Sequence, residues 1–230
     1  MRKTVLLSWS SGKDSAWALH LLRQQDEFEV VGLFTTVNQR HERVAMHAVR
    51  HELLALQAQC AGLPLEVIEI PDPCSNADYE LHMAAFVECC RQQKVDCFAF
   101  GDLYLEDIRA YREQKLAGSG IEAIFPLWGM PTATLSAQMI DSGVRAHLTC
   151  IDPRHLAADF AGRAFDHALL EALPAAVDPC GENGEFHSFV SAGPMFDGDI
   201  DVTVGEVVAR GGFVFADLLL TVADEKSDAA

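Results

Sequence analysis

Six consecutive residues, Ser10-Ser11-Gly12-Lys13-Asp14-Ser15, concentrate hydroxyls, a cation and a carboxylate directly after an apolar run at 4–9. A strand that delivers straight into small residues and then a helix aims unpaired backbone N–H groups, and the positive end of the helix dipole, at an anion. The pattern is not a GxxxxGK[ST] phosphate loop, because Leu7 stands five before Gly12 and Lys13 is followed by Asp14. Nor is it GxGxxG. On these residues alone the segment is either an anion site or a serine-rich helix cap with a solvated Lys13 and Asp14.

Two further groups carry chemistry. The first is Gly101-Asp102-Leu103-Tyr104-Leu105-Glu106-Asp107-Ile108-Arg109, with Glu113 beyond it, at the carboxyl end of the fourth predicted parallel strand, where open α/β sheets bind ligands. Asp102 belongs to that crevice. Arg109 and Glu113, four apart on a predicted helix, are either part of the site or a surface ion pair. The second group is Asp178-Pro179-Cys180-Gly181-Glu182-Asn183-Gly184-Glu185-Phe186-His187-Ser188. Asn183-Gly184 signals a hairpin turn with Glu182 and Glu185 facing across it, and His187 shares a strand face with Glu185. Two carboxylates and an imidazole in one patch would bind or deprotonate an ammonium ion, or hold a second metal. The bland alternative is a solvated hairpin tip. His47 and His51 are four apart without an HExxH context, so they are a metal pair or exposed surface. Cys180 is a reactive thiol or core packing. Trp9, Trp17 and Trp128 are core residues or adenine platforms.

SSGKDS after a strand resembles the SGGxDS signature of the PP-loop ATP pyrophosphatases, which hold the pyrophosphate half of ATP. That resemblance implies ATP and Mg²⁺ as cofactors. Ser10, Ser11, Gly12, Lys13 and Ser15 would hold pyrophosphate through hydroxyls, loop amides and the ammonium, and Asp14 would hold Mg²⁺. Ser11 stands where these enzymes carry their first glycine. It allows close approach but restricts left-handed backbone. Together with Pro126-Leu127-Trp128 and the two groups above, the chain resembles the diphthine–ammonia ligase family from residue 6 to residue 196. The resemblance implies an enzyme that adenylates a carboxylate and transfers ammonia, with Gly101, Asp102 and Arg109 at the nucleotide site. Lys13, Asp14, Glu182, Glu185 and His187 would be the catalytic groups. The chain lacks the extra C-terminal domain of eukaryotic relatives, so the expectation is a bacterial relative acting on another acid.

These groups need elements to position them. Apolar runs at 4–9, 28–35, 65–70, 97–101 and 123–127 alternate with helical patterns at 14–25, 42–61, 78–93 and 105–117. In the second helix Met46, Val49, Leu53, Leu56 and Cys60 draw one apolar stripe. Short strands without polar alternation imply a parallel sheet covered on both faces. After 126 the pattern gives a helix at 133–142, a strand at 146–151, a helix at 160–173 and three β-rich stretches at 185–191, 200–209 and 212–222. The expected fold is α/β: a Rossmann-like, parallel-sheet PP-loop nucleotide domain at 1–125 and a smaller α+β substrate-binding part at 126–230.

Composition narrows the partners. With 230 residues, half of them apolar, the chain buries a substantial core. Seven cysteines without CxxC or zinc spacing read as reduced thiols, and no apolar run approaches the roughly 20 residues of a membrane span. A soluble cytoplasmic protein without a membrane partner is expected. The formal net charge of −17 disfavours nucleic acid. From 177 onward, 11 acidic residues face only Arg210 and Lys226, a segment suited to a cationic partner, Mg²⁺ or plain solubility. The partners are then a carboxylic acid, protein-borne or small, and ammonia, with a homodimer left open. Three other readings stay open: a tRNA-modifying PP-loop enzyme, which the charge disfavours, a nucleotide-binding regulator without turnover, and an amide hydrolase on the same fold.

Overall fold

In a computed structural model, which describes residues 1–38, 43–44 and 49–221, the first half builds a mainly parallel sheet. Its strands are β1 (Lys3–Ser8), β2 (Phe28–Asn38), β3 (Arg43–Val44), β4 (Leu65–Ile70), β5 (Cys97–Ala99) and β6 (Glu122–Ile124). The parallel order is β4-β2-β1-β5-β6. The chain therefore builds outward from β1 on one side and then crosses to β5 on the other. The switch lies between β1 and β5, and their carboxyl ends carry the serine-rich turn and Gly101-Asp102. The second sheet is antiparallel, in the order β8-β7-β10-β9: β7 (Arg145–Ile151), β8 (Phe186–Ala192), β9 (Val202–Arg210) and β10 (Phe213–Leu220). This is the expected α/β nucleotide-type sheet followed by a smaller C-terminal part.

Side chains of the first sheet alternate between two cores, as the pleat requires. Val5, Leu7, Leu33, Cys97 and Ala99 join one core with α1 (Lys13–Arg23), α2 (His51–Cys60) and residues Leu148, Phe189 and Val190 of the second sheet. Phe34, Ile68, Phe98 and Phe100 face a second core with residues from α3 (Asn76–Gln92) and α4 (Glu106–Leu116). The order of layers is α3 and α4, the parallel sheet, α1 and α2, then the antiparallel sheet. Seven of the 11 residues of α1 are buried, whereas α3 buries Cys90 alone of its 17. A helix with a sheet on either side is covered all round, while α3 is covered on one side only.

Two expectations change. The helix expected at 42–61 begins only at His51, and Arg43–Val44 instead lie antiparallel to β2. Val37 pairs with β4 on one side and with Val44 on the other, so β3 extends the sheet past the end of β1. Met46 and His47 lie outside the described residues. The helix expected at 160–173 is shorter, because Arg163 and Phe165 bond the backbone of β7. A short 3₁₀ turn (Ala158–Phe160) comes first, and α6 (His167–Ala172) starts where Asp166 caps it by accepting from the N–H of Leu169 at 2.7 Å. α5 (Thr132–Asp141) and the remaining strands follow the expected pattern. No helix among the described residues is long and apolar enough to cross a membrane.

The layering makes a prediction about local stability. Backbone amides of β1 and α1 should exchange with deuterium only through global unfolding, while those of α3 exchange through local opening, measured by native-state hydrogen exchange. Equal protection of α1 and α3 would contradict the layering.

Candidate active site at the β1–β5 switch point

Ser11 has φ +66°, a left-handed backbone uncommon for a residue with a Cβ. Its carbonyl is held twice, by Gln57 Nε2 at 3.0 Å and by the N–H of Val190 at 3.0 Å. Gln57, wholly buried in α2, also donates to the carbonyl of Val190 at 2.6 Å and accepts from Trp9 Nε1 at 2.9 Å. One glutamine thus joins β1, the turn and β8 and holds Ser11 in its strained form. Sequence reading missed Gln57. The available signal was its place four residues after Leu53, on the inward stripe of α2.

Beyond Ser11 the turn organises its own hydroxyls. Ser15 Oγ donates to the carbonyl of Gly12 at 3.0 Å and contacts Ser10 Oγ at 3.1 Å, and the N–H of Gly12 donates to Ser10 Oγ at 3.3 Å. Gly12 is the N-cap of α1 and has no side chain to cover the helix end. The N–H of Ser15 has no acceptor among the described residues, and that of Asp14 meets only its own carboxylate. Gly101 lies flush against this turn: a Cβ there would sit 3.0 Å from the backbone of Asp14 and Ser15. Its contribution is close approach of β5 to α1.

Lys13 is 2% exposed, and its ammonium lies 2.9 Å from Asp14 Oδ2, bonds the carbonyl of Cys180 and stands 5.2 Å above the ring of Phe186. Burial is the largest influence and works against its charge, but Asp14, Cys180 and Glu182 together outweigh it and hold the Lys13 pKa above the ordinary lysine value. Lys13 remains an ammonium.

The carboxylates divide by function. Glu182 Oε1 accepts from the N–H groups of Leu103 at 2.7 Å and Tyr104 at 3.3 Å, tying the third sequence group to the second. Its Oε2 has no partner among the described residues. Burial pushes Glu182 up to about 7, against the opposing pull of those two N–H groups. Glu185 is 2% exposed and does not line the cavity; its carboxylate accepts from the N–H groups of Asp178 and Asn183 and from the Asn183 amide, bracing its own turn. The hairpin expected at Asn183-Gly184 is instead a pair of successive tight turns, closed by Gly181 to Asp178 and Gly184 to Gly181. β8 pairs with β7, so no strand precedes this turn to form a hairpin. Asp178 accepts from the N–H of Cys180 and from Thr132 Oγ1, which anchors the turn to α5.

Ser10, Gly12, Lys13, Asp14, Ser15, Gly101, Asp102, Glu182 and His187 line one cavity of about 250 Å³. Ser11 and Arg109 do not line it. The guanidinium of Arg109 pairs with Glu113 at 2.7 Å and stacks on Trp128 at 4.7 Å. Arg112, one turn further along α4, enters the cavity instead and forks onto Asp102 at 2.6 and 3.1 Å. Burial, with Lys13 nearby, lowers His187 to about 4, so its imidazole is neutral near pH 7. Burial pushes the Cys180 thiol up to about 12, which keeps it a packing residue. Trp9 and Trp17 are core, and Trp128 stacks outside the cavity.

A bare helix start, two hydroxyls and an ammonium suit a polyphosphate. Two family models decide what kind of protein carries them: one described as diphthamide synthase N-terminal domain matches residues 1–122, and one described as diphthamide synthase C-terminal domain matches residues 131–216. The chain belongs to the diphthamide synthase family. Comparison with the curated proteins finds no match. Membership in the diphthamide synthase family makes the chain a member of an enzyme family with an ATP-using, ligase-type function, and the cavity fits that chemistry. It also fits Mg²⁺ in one particular way. No three His, Cys, Asp or Glu side chains among the described residues converge to cage a metal, so Asp14 would share the ion with phosphate oxygens, as Mg²⁺ commonly is.

Gln57→Leu orphans the Trp9 N–H and the Val190 carbonyl, and should cost about 2–5 kcal/mol of stability in urea unfolding. Arg109→Ala, which removes an exposed ion pair, should cost under about 1 kcal/mol in the same assay. Equal losses would show that Gln57 does not hold the turn.

Proposed function

We propose that this protein is an ATP-dependent carbon–nitrogen ligase, which adenylates a carboxylic acid and transfers ammonia to it, releasing AMP and pyrophosphate. One observation carries the reading: the start of α1, where the Ser15 N–H has no acceptor among the described residues and the Lys13 N–H meets only the Ser188 hydroxyl at 3.2 Å, the buried Lys13 ammonium and the Glu182 carboxyl open into a single cavity at the β1–β5 switch point. A carboxylate is a poor electrophile, and adenylation gives it a good leaving group. The acyl carbon is then open to ammonia and must be kept from water.

In this reading the N–H groups of the Gly12–Ser15 turn, with the Ser10 and Ser15 hydroxyls, bind the pyrophosphate half of ATP. Lys13 places positive charge beside the phosphate oxygens as the bond between the α and β phosphates breaks. Ser11 contributes by shaping the turn. Asp14 would hold Mg²⁺, which would supply positive charge for the phosphate oxygens. Glu182, with Oε2 available, takes a proton from a bound ammonium ion, and the ammonia so formed attacks the acyl carbon and displaces AMP, with the neutral His187 orienting that nucleophile as a hydrogen-bond partner. The acid is protein-borne or small, ammonia is the second substrate, and the reaction runs in the cytoplasm.

Asp14→Asn should abolish AMP release, measured by AMP formation with Mg²⁺, ATP, ammonium and an acid panel, and should lower the unfolding midpoint while unfolding stays cooperative, because the buried Lys13 ammonium loses its carboxylate. Full activity in that variant would sink the assignment. ATP binding without AMP release from any acid would favour a regulator, and ATP-independent amide cleavage would favour a hydrolase.

A second expectation concerns pH. Glu182 acts as a base only when ionised, so activity should rise as pH climbs through about 7. Glu182→Gln keeps an oxygen for Leu103 and Tyr104 but should remove that limb of the kcat/KM profile. The stability sign is opposite. The folded protein keeps a proton that the unfolded chain releases between its ordinary value of 4.5 and about 7, so this group's contribution to stability falls as pH rises across that window.

A further inference from the structure

A second cavity, of about 300 Å³, lies between α3 and α4 on the far side of β5. Its floor is apolar, with Phe98 and Phe100 from β5 and its end, Met83 and Val87 from α3, and Leu116 from α4, while charged side chains that include Glu88 and Arg91 also line it. The space exists because α3 buries only Cys90, so its apolar side is met by too little protein to close over. Glu80 and Lys115 join across the helices at 2.6 Å, both nearly half exposed.

One residue lines both cavities, and it is Arg112. Its guanidinium lies flat on Phe100 at 4.3 Å, and Asp102 takes Nε and Nη2. Among the described residues nothing takes Nη1, so three N–H donors remain, and one from Nη1 with one from Nη2 forms the parallel pair on the outer edge of the guanidinium that a carboxylate can accept. The phosphate-side cavity is polar and offers little apolar surface to the body of an acid. The adjoining space is apolar, and an unused donor pair suited to a carboxylate stands at the junction.

We propose that the cavity between α3 and α4 binds the body of the acid substrate, that this acid is an aromatic or similarly bulky apolar monocarboxylate, and that Arg112 receives its carboxylate. The proposal rests on the ligase reading for the direction in which the carboxylate points. It makes Arg112 a substrate-binding residue and the α3–α4 cleft the determinant of specificity. Small acids such as acetate would leave the apolar wall uncovered and bind poorly.

The test is calorimetric titration of the full chain with phenylacetate and with acetate, in Mg²⁺ and α,β-methylene-ATP, whose α–β link cannot be cleaved. Phenylacetate should bind one to one, and acetate about tenfold more weakly or worse. Ala84→Trp fills the cleft from an exposed position on α3; it should weaken phenylacetate by about tenfold and leave the nucleotide's affinity unchanged, which also verifies folding. Met83→Ala should shift preference toward naphthylacetate. Equal affinity for acetate and phenylacetate, insensitivity to Ala84→Trp, or displacement of phenylacetate by adenosine would each overturn the proposal. Nucleotide binding without phenylacetate binding overturns it and spares the ATP reading. Phenylacetate binding without nucleotide binding does the reverse.

Discussion

The carbonyl oxygen of Ser11 accepts from Gln57 and from Val190, and this pair of hydrogen bonds sets the site. A serine in left-handed backbone persists only where its surroundings hold it there. Here α2 supplies one donor and the second sheet the other, so the turn forms with its final geometry only when both layers are docked. The direction of the first turn of α1, the placement of Lys13 and the spacing of Ser10 to Ser15 all descend from that restraint.

The same docking determines the electrostatics. Because the antiparallel sheet covers α1, Lys13 is sealed beneath Phe186 and Phe165 and takes the Cys180 carbonyl as a fixed partner. Glu182 arrives on the same segment and reaches over to the N–H groups of Leu103 and Tyr104, so a residue near the end of the chain closes the crevice opened by β1 and β5. The charge pattern of the cavity is therefore a product of two sheets, each of which alone would leave half of it in water.

The parallel architecture was legible because buried strands such as β5 and the inward stripes of the helices leave local traces, and Lys13, Asp14 and Asp102 were legible because their neighbours in sequence announce a strand end. What sequence could not show depends on which layer covers which face. The place of Gln57 on the inward stripe of α2 marks it as buried, but its partners Ser11, Trp9 and Val190 come into view only when the second sheet is laid over α2. Arg109 and Arg112 lie three apart on α4, and the helical period alone does not say which one meets the end of β5. Glu185 reads as a partner for His187, yet the tight turns around Gly181 and Gly184 roll its carboxylate back onto Asn183. The helix expected at 160–173 yields to backbone pairing with β7, a long-range gain that local propensity does not register.

Every cation that lines the cavity already has a carboxylate beside it, Lys13 with Asp14 and Arg112 with Asp102. Set in a chain of formal charge −17, the cavity offers an approaching polyanion little long-range attraction. Encounter with a nucleotide is then uphill in the field of the whole protein, and dissolved salt, by shortening the reach of that field to about 8 Å at physiological strength, speeds capture where it slows most phosphate-binding proteins. A small cation experiences the opposite, because the same field gathers it; under the proposed ligase reading the surplus negative charge would concentrate ammonium, the protonated form of the nucleophile, while selection of the nucleotide would be left to contacts made at short range.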